Sequence, residues 1–236
     1  MTGIKEAVRE VRETLHMMGD HARRARMATY APTAMEVEGV TGPELKGVIR
    51  DLKQKYREWD TGAWITLCVA LVDTSVFECQ VLAYELIGRN KKLLASLEKK
   101  DLDGLAKNLD NWASVDSFAA GIYGVLWGRG VVMDEDIGKL LDSEDHWQRR
   151  VAVVSTVGLN LKSRGGTGDT PRTLQVCEAV VGDHHEMIQK ALSWALRELS
   201  KRDRKAVADF IAKHENQLAR RVIREVNHKL DFGTKN

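Results

Sequence analysis

Proline occurs only at Pro32, Pro43 and Pro171 in the 236 residues, and that scarcity constrains the fold more than any other feature. Proline removes a backbone N–H and clashes with the preceding turn, so long stretches without it leave helices uninterrupted. Between the prolines, apolar residues recur at three- and four-residue steps. Ile4, Val8, Val11, Leu15 and Met18 are one example, with the periodicity of an amphipathic helix. Residues 29–40, with Tyr30 and Pro32, break the pattern and read as a connector. Thr41, Gly42, Pro43 and Glu44 then make a helix start, with proline in the first turn and a carboxylate facing the N-terminal dipole.

That helix is expected to run to about residue 59. Further helices are predicted over 61–72, 75–88, two short pieces within 93–109, then 112–128, 134–141 and 147–161. The last group covers 173–181, 187–200, 203–214 and 217–230. The β-branched run at 151–154 lies inside a helical-period segment, so strand signals are almost absent. Residues 162–171 hold three glycines and two cations and read as a flexible surface loop. They lack the GxxxxGK[ST] pattern and a preceding strand, which excludes a nucleotide-cradling loop.

Trp112 and Asp116 stand four residues apart, so on a helix they share one face. From Trp112 to Arg150 is 38 residues and from Arg150 to Trp194 is 44. Steps of that size match the roughly 40–47-residue period of HEAT and armadillo repeats. In such a solenoid, residues one period apart stack along a single concave surface. Two indoles, a carboxylate and a guanidinium are thus expected along one groove.

Composition sets the remaining bounds. No apolar run reaches the roughly 18 residues that span a bilayer. The first twenty residues mix charges of both signs without an apolar core, unlike a signal peptide, and the expected compartment is the cytoplasm. Cys68, Cys79 and Cys177 form no CxxC pair and are odd in number, which argues for reduced, buried thiols. His184 and His185 are adjacent and cannot share a helix face as the histidines of HExxH do, so no metal is expected. Net charge is +2, yet the last forty residues carry eleven Lys and Arg, Arg221 among them, against six acids. A basic end of that kind points either to a polyanion held along one surface or to an ordinary solvated helix face.

Several blocks resemble one family. Trp112-Ala113-Ser114-Val115-Asp116 resembles the WxxVD signature of the DNA alkylation repair enzymes built from HEAT-like repeats, the AlkD-like DNA glycosylases. Trp147-Gln148-Arg149-Arg150-Val151-Ala152 is similar to that family's WxxRxA helix start, and residues 188–201 to its IQKAxxWxLREYxK run. Tyr30, Gly39-Val40 and Pro43-Glu44-Leu45 resemble its tyrosine and G[IV]xTPxxR segment, and residues 78–87 its ExxxxAxxL helix. The resemblance covers about residues 30–224. Asn111 stands where the family often has a second tryptophan, and Leu199 where it has the tyrosine of REYxK.

The resemblance implies an all-α, right-handed superhelical solenoid of HEAT-like repeats with a concave basic groove, here a single domain over residues 1–236. It implies a monomeric DNA glycosylase that excises cationic alkylated purines from double-stranded DNA without base flipping, cofactor or metal. The family's functional set falls on Trp112, Asp116, Arg150 and Trp194. Arg197, Lys201, Tyr30, Lys162, Arg164 and Arg221 are the expected DNA contacts.

The residue types suit that chemistry. Breaking a base–deoxyribose bond builds positive charge on the sugar, which a nearby carboxylate stabilises. Indole faces favour a cation, and an arginine fork holds a phosphate. Each residue also has a plainer reading: the tryptophans as core, Asp116 as a solvated helix residue, Arg150 as the partner of Glu144 or Asp145. Trp59, Trp64, Trp127 and Trp147 are assigned to packing. The competing functions are a HEAT-repeat nucleic-acid-binding protein without turnover and a protein-binding scaffold.

Overall fold

The computed structural model describes residues 2–234 and is all-helical. Its only β feature among those residues is an isolated parallel bridge between Glu36 and Val76. The chain falls into two compact units, Met1–Phe118 and Ala119–Asn236.

The first unit contains α1 (Thr2–Met18), α2 (His21–Tyr30), α3 (Gly42–Lys55), α4 (Thr61–Val72), α5 (Phe77–Gly88), α6 (Lys91–Ser96), α7 (Lys99–Leu105) and α8 (Trp112–Phe118). Helices α4 and α5 are apolar nearly all round and pack on each other as its core. Helix α1 lays Ala7, Val11 and Leu15 against them. The start of α3 forms as expected: the Glu44 carboxylate accepts from the Thr41 N–H at 2.6 Å and its hydroxyl at 2.7 Å. Those bonds, with Arg23 beside them, pull the Glu44 pKa down to about 2. Helix α3 ends at Lys55, short of residue 59, because Tyr56 leaves the helix to stack on Trp59 at 4.2 Å.

The connector after α2 is held from beneath by a buried carboxylate. Glu78 accepts backbone N–H bonds from Glu38 at 2.9 Å, Gly39 at 2.7 Å and Val40 at 3.3 Å. Gly39 has φ +79, and a Cβ there would stand 2.5 Å from the Asp20 carbonyl oxygen. That double constraint explains the glycine.

The second unit opens with a π-helical segment, Ala119–Tyr123. There follow α9 (Gly124–Gly128), α10 (Asp134–Leu141), α11 (His146–Asn160), a 3-10 turn (Lys162–Arg164), α12 (Thr170–Ala179), α13 (Glu186–Leu199), α14 (Arg204–His214) and α15 (Arg220–Phe232). Helix α11 is central: every residue from Arg150 to Asn160 is buried. Its crossing with α9 brings backbone onto backbone. A Cβ on Gly124 would stand 2.1 Å from the Ser155 carbonyl oxygen, and one on Gly158 would stand 3.1 Å from Gly124 Cα.

The loop expected to be flexible is tied down instead. Gly166 N–H donates to the Leu161 carbonyl and Gly168 N–H to that of Leu159, both at 3.0 Å. Arg202 bonds the Asn160 carbonyl at 2.9 Å and the Gly166 carbonyl. The three cysteines are free and buried, and burial pushes the Cys68 thiol up to about 12 and that of Cys79 to about 11. No helix of the described residues is long and apolar enough to cross a membrane.

Candidate functional site

The four residues of the expected functional set divide equally between the units, Trp112 and Asp116 in the first, Arg150 and Trp194 in the second. In the first, the start of α8 is built from polar side chains. Asn111 is buried, and its carbonyl oxygen accepts from the N–H groups of Ala113 and Ser114, both at 3.0 Å. This is helix capping, and it accounts for an asparagine where the family often has tryptophan. Asp110 accepts from Asn111 at 3.1 Å, from the Thr33 hydroxyl at 2.7 Å and from Ala34 N–H at 2.6 Å. The connector after α2 is thereby pinned to α8.

That pinning sets Tyr30 on Trp112. The Trp112 indole N–H donates to the Tyr30 carbonyl at 3.0 Å, and the rings meet edge to face with centroids 4.9 Å apart. Tyr30 remains 69% exposed, while Trp112 and, one helical turn on, Asp116 are half-buried. Asp116 thus stands beside an indole whose orientation is fixed.

In the second unit, Asp145 caps α11 by accepting from Trp147 N–H at 2.9 Å. Arg150 is only 4% exposed and donates to the Met187 carbonyl in the first turn of α13. Contacts to the Ser143 and Glu144 carbonyls are made by Arg149, both at 2.8 Å, and it pairs with Asp183 at 2.9 Å. Nearby, His146 stacks on His185 at 4.0 Å. Burial, then the neighbouring His185, hold the His146 pKa below its ordinary 6.5.

Trp194 is half-buried on α13, flanked by a buried cluster. The Ser193 hydroxyl donates to Glu225 at 2.6 Å and accepts from Arg197 at 3.2 Å. Arg221 pairs with Glu225 at 2.9 Å. Burial pulls the Arg197 pKa below its ordinary value. Lys201 pairs with Glu198 at 2.5 Å and shares the border of one hollow with Lys162. Arg164 lies on the other side of the loop, in a cavity with Arg129 and Arg172. Among the described residues no group of three or more His, Cys, Asp or Glu is placed to hold a metal.

The family model of DNA alkylation repair enzymes matches residues 11–230. The chain belongs to the DNA alkylation repair enzyme family. A solved structure described as a predicted DNA alkylation repair enzyme from Enterococcus faecalis is similar to it, with a TM-score of 0.69 and 17% identity over 92% of this chain and 98% of that one. At that identity the likeness shows the fold, an α-solenoid. A search of curated proteins found no match.

An exposed cation near the Tyr30–Trp112 ring contact that the sequence reading did not single out is Arg26. It lies one turn before Tyr30 on α2, exposed and without a side-chain partner among the described residues. Helix α2 buries no residue, so it has no apolar stripe to betray it. The signal that was present is the charge run His21 to Arg26.

Proposed function

We propose that this DNA alkylation repair enzyme is a glycosylase that removes cationic alkylated purines from duplex DNA, leaving the lesion stacked. One observation carries the reading: Asp116 stands half-buried one turn from an indole locked by Tyr30. Purines alkylated at N3 or N7 already carry positive charge. When the C1′–N bond breaks, its electron pair goes to the base, which leaves neutral, and the sugar becomes cationic. Asp116 stabilises that charge and orients the water that adds to C1′, whose released proton passes to solvent.

Trp112 and Trp194 favour the cationic sugar through their ring faces. Arg150 is proposed to fix the strand through a phosphate, for which its side chain, buried here on the Met187 carbonyl, has to turn outward. Arg197, Lys201, Tyr30, Lys162, Arg164 and Arg221 supply further DNA contacts. Because Arg197, Lys201 and Arg221 already face carboxylates, a phosphate at those positions exchanges one anion for another, and their contribution is the smaller.

The test is release of methylpurine from methylated duplex DNA. Wild type should release it, and Asp116→Asn should lose on the order of a hundredfold or more, the scale of one key electrostatic stabiliser, with unchanged helicity. Equal release by both removes Asp116 from the chemistry. Duplex binding without release by wild type makes this a binding protein.

A further inference from the structure

Trp112 is oriented from two sides, and one carboxylate of the first unit stands behind both. Thr33 lies three residues after Tyr30, and Asp110 two residues before Trp112. The Thr33 hydroxyl donates to Asp110 Oδ1 at 2.7 Å, and the Ala34 N–H donates to Oδ2 at 2.6 Å. Both carboxylate oxygens are thus engaged by the connector. The Trp112 indole N–H closes the ring of contacts on the Tyr30 carbonyl at 3.0 Å. On its other side, Asp110 Oδ1 accepts from the Asn111 amide at 3.1 Å. A carboxylate can only accept, so it turns the amide NH2 toward itself and leaves the amide oxygen for the N–H groups of Ala113 and Ser114. Asp110 therefore sets the connector that bears Tyr30 and the cap of the helix that bears Trp112 and Asp116.

Packing of α2 does not supply this register. The helix buries no residue, so no apolar stripe fixes the ring at its end. Its ion pairs lie nearer the other end, Arg23 with Glu44 at 2.7 Å and Arg24 with Glu38 at 2.6 Å. Beyond Tyr30, Ala31 and Met35 are buried. They keep the connector on the unit and leave Thr33, between them, for Asp110 to place.

We propose that Asp110 is a positioning residue for excision: it holds Tyr30 against Trp112 and so fixes the indole beside Asp116. The chemical part of this inference rests on the glycosylase reading above; the geometric part does not.

The indole N–H of Trp112 reports the geometry. Its NMR resonance, identified by its loss in Trp112→Phe, should exchange with solvent faster in Asp110→Ala than in wild type. Thr33→Val, which removes only the hydroxyl bond, should act the same way by less, and it carries the test if Asp110→Ala does not fold. Asp60→Ala strips the cap of α4 and is the control for lost stability alone. Excision of methylpurine should fall roughly tenfold or more in Asp110→Ala, since a displacement of about 1 Å can cost about a hundredfold. In a Tyr30→Ala background the same substitution should cost nothing further, as expected of groups that act through one contact.

Exchange no faster than in Asp60→Ala, undiminished excision, or losses that simply multiply in the double variant overturn the proposal. Absence of release by wild type is the failure of the glycosylase reading, and the indole exchange then decides the positioning by itself.

Discussion

Trp112 and Asp116 in the first unit and Arg150 and Trp194 in the second are held in opposite ways. The first pair rests on a short helix capped by Asn111, with one indole hydrogen bond and one ring contact to Tyr30. The second pair belongs to α11 and α13, two of the most buried helices, cross-linked by the Arg150 bond to Met187 and flanked by the Glu225 cluster. A substitution at Trp112 should therefore report mainly on chemistry, because its side chain makes one hydrogen bond and one ring contact. A substitution in the second pair should report on stability as well, because a buried polar group deprived of its partner destabilises the fold.

Four experiments break or sharpen that contrast. The largest effect on stability is expected for Gly124→Ala, where the new methyl meets the Ser155 carbonyl oxygen at 2.1 Å. A backbone clash has no flexible side chain to yield, so a loss of about 3 kcal/mol is expected in chemical denaturation. A loss below about 1 kcal/mol would show that α9 and α11 can separate freely.

Arg150→Ala comes next, at about 2 kcal/mol, because it strips the Met187 carbonyl of a charged donor. Its stability loss should accompany any loss of excision. Loss of excision with an unchanged Tm would mean that the second unit behaves like the first.

Trp112→Phe removes the indole donor to Tyr30, at about 1 kcal/mol or less. Excision should fall more than stability, and a Tm drop without loss of excision would invert the assignment.

The smallest effect concerns pH. The folded pKa of His146 lies below its unfolded value of 6.5, so the unfolded chain takes up the proton first. The resulting stability is complete above 6.5 and is lost as pH falls through the folded value. The groups around the ring are His185, Asp145, Arg149 and Asp183. His146→Gln should flatten the stability profile below pH 6.5. An identical profile would remove His146 as its source.

Legibility in the sequence followed the same line. Helix α4 lies over 61–72 as expected, because an Asp60 cap and an apolar run are local signals. Helix α3 was overrun because Tyr56 and Trp59 keep helical spacing while packing on each other outside the helix. Helix α2 left no periodic trace, since it buries nothing. The π-helical segment inside 112–128 has no turn chemistry to announce it. In the loop, glycines that looked like freedom are what allow the backbone to lie against the end of α11. The identities of Trp112, Asp116, Arg150 and Trp194 could be read from short blocks. The contacts that orient them could not, because Thr33 to Asp110 and Ser193 to Glu225 join positions 77 and 32 residues apart.

The thiols give these experiments a native readout. Cys68 and Cys79 sit in the first unit and Cys177 in the second, all three shielded in the folded chain. A disulfide-exchange reagent can modify them only when the helices around them part. The order in which they react therefore reveals which half of the molecule opens first, with no engineered label.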